Sequence, residues 1–390
     1  MKSVRIGIVG IGNIGTAHTN LIFSGGVDGL KLTALCDISN ERKEYCKTNY
    51  PDVSFFCNYE EMIKSGKIDA VIIATPHKFH ADMAITALNN GLNVLVEKPV
   101  DVTVTKAKEL NDVAKKSGKV FAIMFNQRTN PLFIKAREIV KSGELGEIKR
   151  TNWIITNWYR TQNYYDSADW RATWSGEGGG VLINQAPHNL DLWQWICGMP
   201  DEITAFCDIA KYHNIEVEDD VTIFARYKNG AMGTFITTTG EYPGTNRLEI
   251  SGAKGKIVLE NGILKWWKLP ESERDFCFDD NYDINGINIE YSEYKPDTSG
   301  EGHLGILKNF SKQILFGESA VSSGYEGINE LEISNAAYLS EWKGNVAVKL
   351  PIDSNEFDKY FNSIKTDMNS QKSSNNTATG AYLKRWNTNW

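Results

Sequence analysis

Three glycines at the start of the chain, Gly10, Gly12 and Gly15 in IGIVGIGNIGTAHTN, have the spacing GxGxxG directly after an apolar run. A strand, this turn and a helix can together hold a dinucleotide. Gly10 allows the tight turn, Gly12 lets the backbone approach a pyrophosphate, and Gly15 permits close helix–strand packing. The amides of Asn13 and Ile14 open that helix and offer N–H groups to phosphate. A glycine-rich turn without a ligand is the plainer alternative. Asp37 ends the next apolar run, KLTALCD. A carboxylate there accepts hydrogen bonds from ribose hydroxyls and repels a 2′-phosphate, which favours NAD over NADP. Arg42 argues the other way, but it falls several residues into the following helix.

Two further segments carry polar groups at strand ends. Ala74-Thr75-Pro76-His77 closes DAVIIA, where a loop with Thr75, Pro76 and His80 would pass the nicotinamide side. NVLVEKPV puts Glu97 and Lys98 at the end of another strand. In open α/β sheets that edge carries the ligand crevice. Lys98 is either a surface charge or a cation at a reacting centre. Pro99 after it restricts Lys98 to extended geometry.

These residues need a scaffold, and the patterning supplies one. Over residues 1–125, strand candidates at 4–9, 32–36, 70–74, 93–96 and 120–124 alternate with amphipathic helical stretches such as 81–90 and 106–115. Apolar strands alternating with helices imply a doubly wound parallel sheet covered on both faces. From about 147 to 268 the runs are β-rich and separated by turns, which suggests an antiparallel sheet in a second domain. A helical stretch at 181–197 interrupts it, and others follow at 304–316 and 328–341. The expected division is a Rossmann domain at 1–125, an α/β substrate-binding domain at 126–365, and a polar linker with an aromatic tail at 366–390.

The 390 residues include 42 Lys and Arg against 49 Asp and Glu, a net charge of −7. An acidic chain is a poor partner for nucleic acid or an anionic membrane. No apolar run reaches the roughly 20 residues that span a bilayer, and the N-terminus reads as a motif rather than a cleavable signal. The cysteines Cys36, Cys46, Cys57, Cys197, Cys207 and Cys277 lack CxxC spacing, so free thiols in a reducing cytoplasm are expected, with no zinc site and no disulfide framework.

GxGxxG, the aspartate after the second strand, the TPH segment and EKP, in this order and spacing, resemble the Gfo/Idh/MocA oxidoreductases. Asn126-Gln127-Arg128 and SGELGEI resemble that family's crossover into its second domain, and GGGVLINQAPHNLDLWQWICGMP its active-site helix. The resemblance implies a dehydrogenase with an NAD(P)-binding Rossmann domain, followed by an open, mostly antiparallel sheet with flanking helices that often serves as an oligomer interface. It implies cofactor contacts from Gln127 besides those above, and substrates such as sugars, inositols and other polyols oxidised at a ring hydroxyl. The stretch WRATW…EGGGVLINQAPH is similar to a narrower group of levoglucosan and glycoside 3-dehydrogenases, which implies oxidation at C3 to a keto sugar. Such a product prepares an O- or C-glycosidic bond for elimination by another enzyme.

Oxidising a secondary alcohol needs a group that removes the hydroxyl proton while hydride leaves the same carbon. Histidine suits this near neutral pH. His188, beside Leu190 and Leu192, would alone read as a buried core residue; with Lys98 and its motif it reads as the base. The family usually has an acid four positions earlier, where this chain has Asn184, which cannot take a proton. Asp191 either orients His188 or has a structural role. Pro187 suggests that the helix starts later than the pattern implies or is distorted.

Trp158, Tyr159, Tyr164, Tyr165, Trp170 and Trp174 crowd one irregular segment with Arg160 and Arg171. Core packing explains Trp174. Aromatic faces also pack on sugar C–H faces while Arg, Tyr and Asn bind hydroxyls. Arg128, Tyr164, Trp170, Arg171, Asn184 and Gln185 are the expected substrate contacts, with His303 closing the pocket. The expected protein is an NAD-dependent pyranoside dehydrogenase. The alternatives are an inositol dehydrogenase and an NAD-binding regulator without activity.

Overall fold

The computed structural model of the chain describes residues 3–280, 283 and 286–372, the last six as backbone alone. The aromatic tail and the end of the expected linker lie outside these residues. The first sheet is built from β1 (Val4–Val9), β2 (Leu30–Cys36), β3 (Ser54–Phe56), β4 (Ala70–Ile73), β5 (Asn93–Val96) and β6 (Phe121–Ile123). Its order is β3-β2-β1-β4-β5-β6, every neighbouring pair parallel. Between the strands run α1 (Asn13–Phe23), α2 (Asn40–Asn49), α3 (Tyr59–Lys64), α4 (His80–Asn89) and α5 (Val104–Ser117). The side chains of Ser39, Asn58 and Thr103 cap α2, α3 and α5 by accepting backbone N–H bonds, which satisfies donors that a helix start leaves free. Strand order reverses between β1 and β4, so a crevice opens outside their C-terminal ends.

α6 (Pro131–Lys141) leads to β7 (Ile148–Ile155). After the short α7 (Gln162–Tyr165) and α8 (Pro187–Cys197) come β8 (Glu202–Ile209), β9 (Glu218–Arg226), β10 (Met232–Thr238), β11 (Asn246–Gly252), β12 (Gly255–Glu260) and β13 (Ile263–Lys268). α9 (Glu273–Phe276), β14 (Glu290–Tyr294), α10 (His303–Phe316), α11 (Gly327–Trp342), β15 (Val348–Lys349) and α12 (Ser354–Lys372) complete the chain. The second sheet has nine strands in the order β14-β13-β12-β11-β7-β10-β9-β8-β15. β10 pairs parallel to β7 and the other neighbours are antiparallel. Its inner face buries Trp153, Phe235, Leu248 and Ile250 against Trp193 of α8 and Leu331 and Ile333 of α11.

Three details differ from the sequence pattern. Residues 181–186 form turns, and α8 begins at Pro187. A proline without N–H is harmless in a first helical turn but not inside a helix. α10 returns to the first sheet: Ile306, Leu307 and Phe310 share a core with Ile6, Ile8 and Leu35, and Ser311 Oγ donates to the Asp28 carbonyl at 2.8 Å. The sheet face that α10 covers needs an apolar partner, and no local periodicity records which strand that is. α12 continues to Lys372, through the first residues of the segment expected as linker.

Phe310→Ala should therefore weaken the nucleotide-binding half, by about 3–5 kcal/mol as for a fully buried Phe. Denaturant unfolding measured with and without NAD checks this; a loss below about 1 kcal/mol would show that α10 is a peripheral addition.

Candidate active site

A cavity of about 810 Å³ runs from the loops after β1 and β2 to the turns before α8. Gly10 and Gly15 explain the narrow floor at its cofactor end. Gly10 has φ +88°, and a Cβ there would lie 2.5 Å from the Ala74 carbonyl; a Cβ on Gly15 would lie 1.8 Å from the Gly10 carbonyl. Nothing lies within 4 Å of a Cβ placed on Gly12, so its backbone faces open space. Gly12, Asn13 and Ile14 line this part of the cavity. The Asp37 carboxylate is fixed by two backbone donors, Ile11 N at 2.7 Å and Ser39 N at 2.8 Å. Parallel pairing of Cys36 with Phe56 brings Cys57, Asn58 and Tyr59 beside Asp37, and all three line the same wall. Gly-rich turn, anchored carboxylate and open helix start together fit a dinucleotide.

Thr75, Pro76 and His80 line the middle of the cavity. His80 is wholly buried, with its ring nitrogens 2.7 Å from the Pro99 and Thr75 carbonyls. It clamps the loop after β4 to the loop after β5. Lys98 stands between the domains. Its Nζ donates to the Asn184 carbonyl at 2.7 Å. Burial lowers the Lys98 pKa, and the carboxylates of Glu97, Glu330 and Glu177 act in the opposite direction. Burial would raise Glu97, but the contact with His18, 2.7 Å between Nε2 and Oε1, and the nearby His303 and Lys98 charges hold it down at about 2.

His188 lies in the first turn of α8 and lines the cavity. Burial and the Lys98 charge push its pKa down to about 3, and a helix N-terminus also disfavours an imidazolium. The ring is therefore neutral near pH 7 and free to accept a proton. Among the described residues its buried Nδ1 has no hydrogen-bond partner. Tyr164, Trp170, Arg171 and Asn184 form the far wall, and His303 lines the cavity beside His18, with their rings 5.5 Å apart. The Tyr164 hydroxyl accepts from Arg171 Nη1 at 2.8 Å and Asn184 Nδ2 at 3.2 Å. The Arg171 guanidinium stacks on the Tyr164 and Trp170 rings, 4.5 and 4.7 Å from their centroids.

Three expected contacts do not line this cavity. Arg128, 1% exposed, spends its guanidinium on Asp191, with Nε–Oδ2 2.9 Å and Nη2–Oδ1 2.6 Å, and on Glu326. A buried cation needs such partners, and the same pair gives Asp191 a structural role. Gln127 sits in the 3₁₀ turn before α6, where its Oε1 accepts from Asn130 Nδ2 at 3.5 Å. Gln185 is buried behind Tyr164, with its Nε2 3.4 Å from the hydroxyl. Trp174 packs on Tyr338, Trp342 and Phe361. Glu177 is the polar group that sequence reasoning missed: it is buried, touches the Asn184 amide and accepts from Ala172 N at 2.6 Å. Its acidic side chain ahead of three glycines was the available signal. All six cysteines are free thiols, and among the described residues no helix is long and apolar enough to cross a membrane.

Residues 4–125 match the family model for an oxidoreductase NAD-binding Rossmann fold, and 133–258 that for the GFO/IDH/MocA C-terminal domain. The chain belongs to the Gfo/Idh/MocA family and is an NAD-dependent oxidoreductase. Myo-inositol 2-dehydrogenase of Thermotoga maritima is 24% identical over 342 residues, covering 86% of this chain and 96% of that protein. The NAD(+)-dependent scyllo-inositol 2-dehydrogenase of Bacillus subtilis is 27% identical, covering 66% and 73%. The WlbA dehydrogenase of Bordetella pertussis, solved with NADH and UDP-GlcNAcA, superposes with TM-score 0.75 at 26% identity over 90% of this chain and all of that one. Levoglucosan dehydrogenase, solved with NADH and levoglucosan, shares the fold with TM-score 0.74 at 22% identity, over 90% and 100%.

Arg128→Ala should cost about 3–5 kcal/mol of stability by leaving Asp191 buried and unpaired, with the substrate KM of the folded fraction unchanged; denaturation and steady-state kinetics on one preparation test both halves. Asp37→Ala should lose the discrimination between NAD and NADP, measured as the ratio of the two affinities. An unchanged ratio removes Asp37 from the ribose site.

Proposed function

We propose that the protein oxidises a ring secondary hydroxyl, C3 of a pyranose sugar or glycoside, to the keto sugar. The observation that carries this reading is the single cavity in which Gly12 and Asp37 at one end face Tyr164, Trp170 and Arg171 at the other, with Lys98 and His188 between them. NAD, when bound, accepts the hydride. Thr75, Pro76 and Glu97 line the cavity between the turn after β1 and Lys98 and would hold the cofactor along that path.

Lys98 binds the reacting hydroxyl and stabilises its alkoxide-like form. Neutral His188 takes the proton. Its low basicity reflects burial and the Lys98 charge; negative charge developing on the substrate oxygen offsets that charge during the reaction. Asn184, beside Lys98, orients the sugar, and His303 closes the pocket across from it. The aromatic wall packs on the ring, as Trp and Tyr faces do on C–H groups.

An inositol dehydrogenase is the second reading, favoured by the inositol dehydrogenases among the relatives. A regulator without catalysis would have no need for a cationic Lys98 beside a neutral His188. The outer face of the second sheet exposes Ile154, Phe206, Phe224 and Met232, on neighbouring strands of one sheet, and this apolar stripe is the proposed contact with a second copy of the chain. Free thiols and an acidic surface suit the cytoplasm.

Purified protein given NAD and a panel of glucosides and inositols should form NADH with a glycoside and yield a 3-keto product; turnover confined to inositols would support the second reading, and tight NAD binding without turnover the regulator. His188→Asn should lower kcat by about 10²–10⁴-fold, the usual weight of a general base, and leave NAD affinity within two-fold by about the error of a fluorescence titration. Retained turnover would remove His188 from the base role.

A further inference from the structure

Glu177 is 2% exposed and both its carboxylate oxygens are engaged. Oε2 accepts from Ala172 N at 2.6 Å, and Oε1 from Asn184 Nδ2. The residue is held from every side. Its N–H donates to the Thr173 carbonyl at 3.0 Å, and its own carbonyl lies 3.3 Å from His77 Nδ1. Ala172 reaches it with φ +48°, a left-handed conformation that costs a non-glycine residue energy. A strained, over-determined seat of this kind holds one orientation.

Asn184 lines the cavity, and its backbone carbonyl receives the Lys98 ammonium at 2.7 Å. Its Nδ2 is taken by Glu177 and the Tyr164 hydroxyl. Among the described residues its Oδ1 has no hydrogen-bond donor. An unrestrained asparagine amide can present either end to a ligand; this one presents only its acceptor.

We propose that Glu177 is a positioning residue: as a carboxylate it locks the Asn184 amide with Oδ1 toward the cavity, so that the site takes a vicinal diol, whose second hydroxyl donates to Oδ1 beside the hydroxyl held by Lys98. The inference rests on the substrate-orienting role of Asn184 given above. Two donors, Ala172 N–H and Asn184 Nδ2, need two acceptor oxygens. A carboxylate supplies both; a glutamine or a protonated acid supplies one and must find a place for its own hydrogen. Burial raises the Glu177 pKa to about 6, against the Ala172 hydrogen bond and the Arg171 and Lys98 charges that lower it. The lock is therefore complete well above pH 6, is lost as pH falls through about that value, and His188, at about 3, stays neutral throughout.

Kinetics of Glu177→Gln, Asn184→Ala and the double variant on the best sugar test this. Glu177→Gln should lose about ten-fold or more in kcat/KM at pH 8, the cost of one unmet buried donor, with NAD affinity unchanged. The acid limb of the wild-type pH profile near 6 should vanish. Adding Glu177→Gln to Asn184→Ala should cost nothing further, and the wild-type preference for the diol over its monodeoxy analogue should fall in each variant. An acid limb that persists in Glu177→Gln, or an equal further loss in the Asn184→Ala background, overturns the proposal. If Glu177→Gln does not fold, or if no sugar or polyol is oxidised, crystals of the wild-type protein at pH 8 and pH 5 decide. The Glu177–Asn184 contact should hold at the higher pH and open at the lower; a contact unchanged at pH 5 overturns the proposal, whereas absent turnover alone overturns only the dehydrogenase reading of the substrate.

Discussion

The Lys98 ammonium is surrounded by protein except where it meets the cavity, and a cation in that position must be compensated on several sides at once. Among the described residues its one direct hydrogen bond crosses from the first domain to the second, ending on the Asn184 carbonyl. Three carboxyl groups add to its stabilisation from different elements: Glu97 from the end of β5, Glu177 from the loop before α8, and Glu330 from α11. The position of this one charge therefore depends on the two domains being docked. Displacing either would leave a buried cation short of partners, and the same docking forms the cavity.

The charge also organises its neighbours chemically. It helps keep His188 neutral and thus able to accept a proton. The His18 contact is the main influence that lowers Glu97, with the His303 and Lys98 charges adding to it, so that the loop after β5 carries a fixed anion and cation side by side. Helix α1 supplies His18 from one side and α10 supplies His303 from the other, with their rings 5.5 Å apart. α10 thus has two tasks: it covers the first sheet with Phe310 and brings His303 to the edge of the cavity.

Much of this was legible in the chain. Strand–helix alternation, GxGxxG, Asp37 and EKP specify a parallel sheet and the edge at which its ligand sits, because each depends on local periodicity or on residues that follow a strand directly. Lys98, Asn184, His188, Tyr164, Trp170 and Arg171 could be named, and they converge on one cavity. Arg128 could not be judged correctly, because an arginine reads the same whether it faces a sugar or an aspartate on another helix. Asp191 was ambiguous for the same reason.

The sequence by itself determined the types of chemistry available and the order of the elements, since propensity, pattern and turn residues act over a few positions. Tertiary structure alone decided partners: Arg128 with Asp191, Glu97 with His18, Cys57–Tyr59 beside Asp37, α10 back on the first sheet, and Glu177 against Asn184. Each joins groups through packing or a hydrogen bond whose strength depends on distance and burial. Neither quantity is written in residue spacing along the chain.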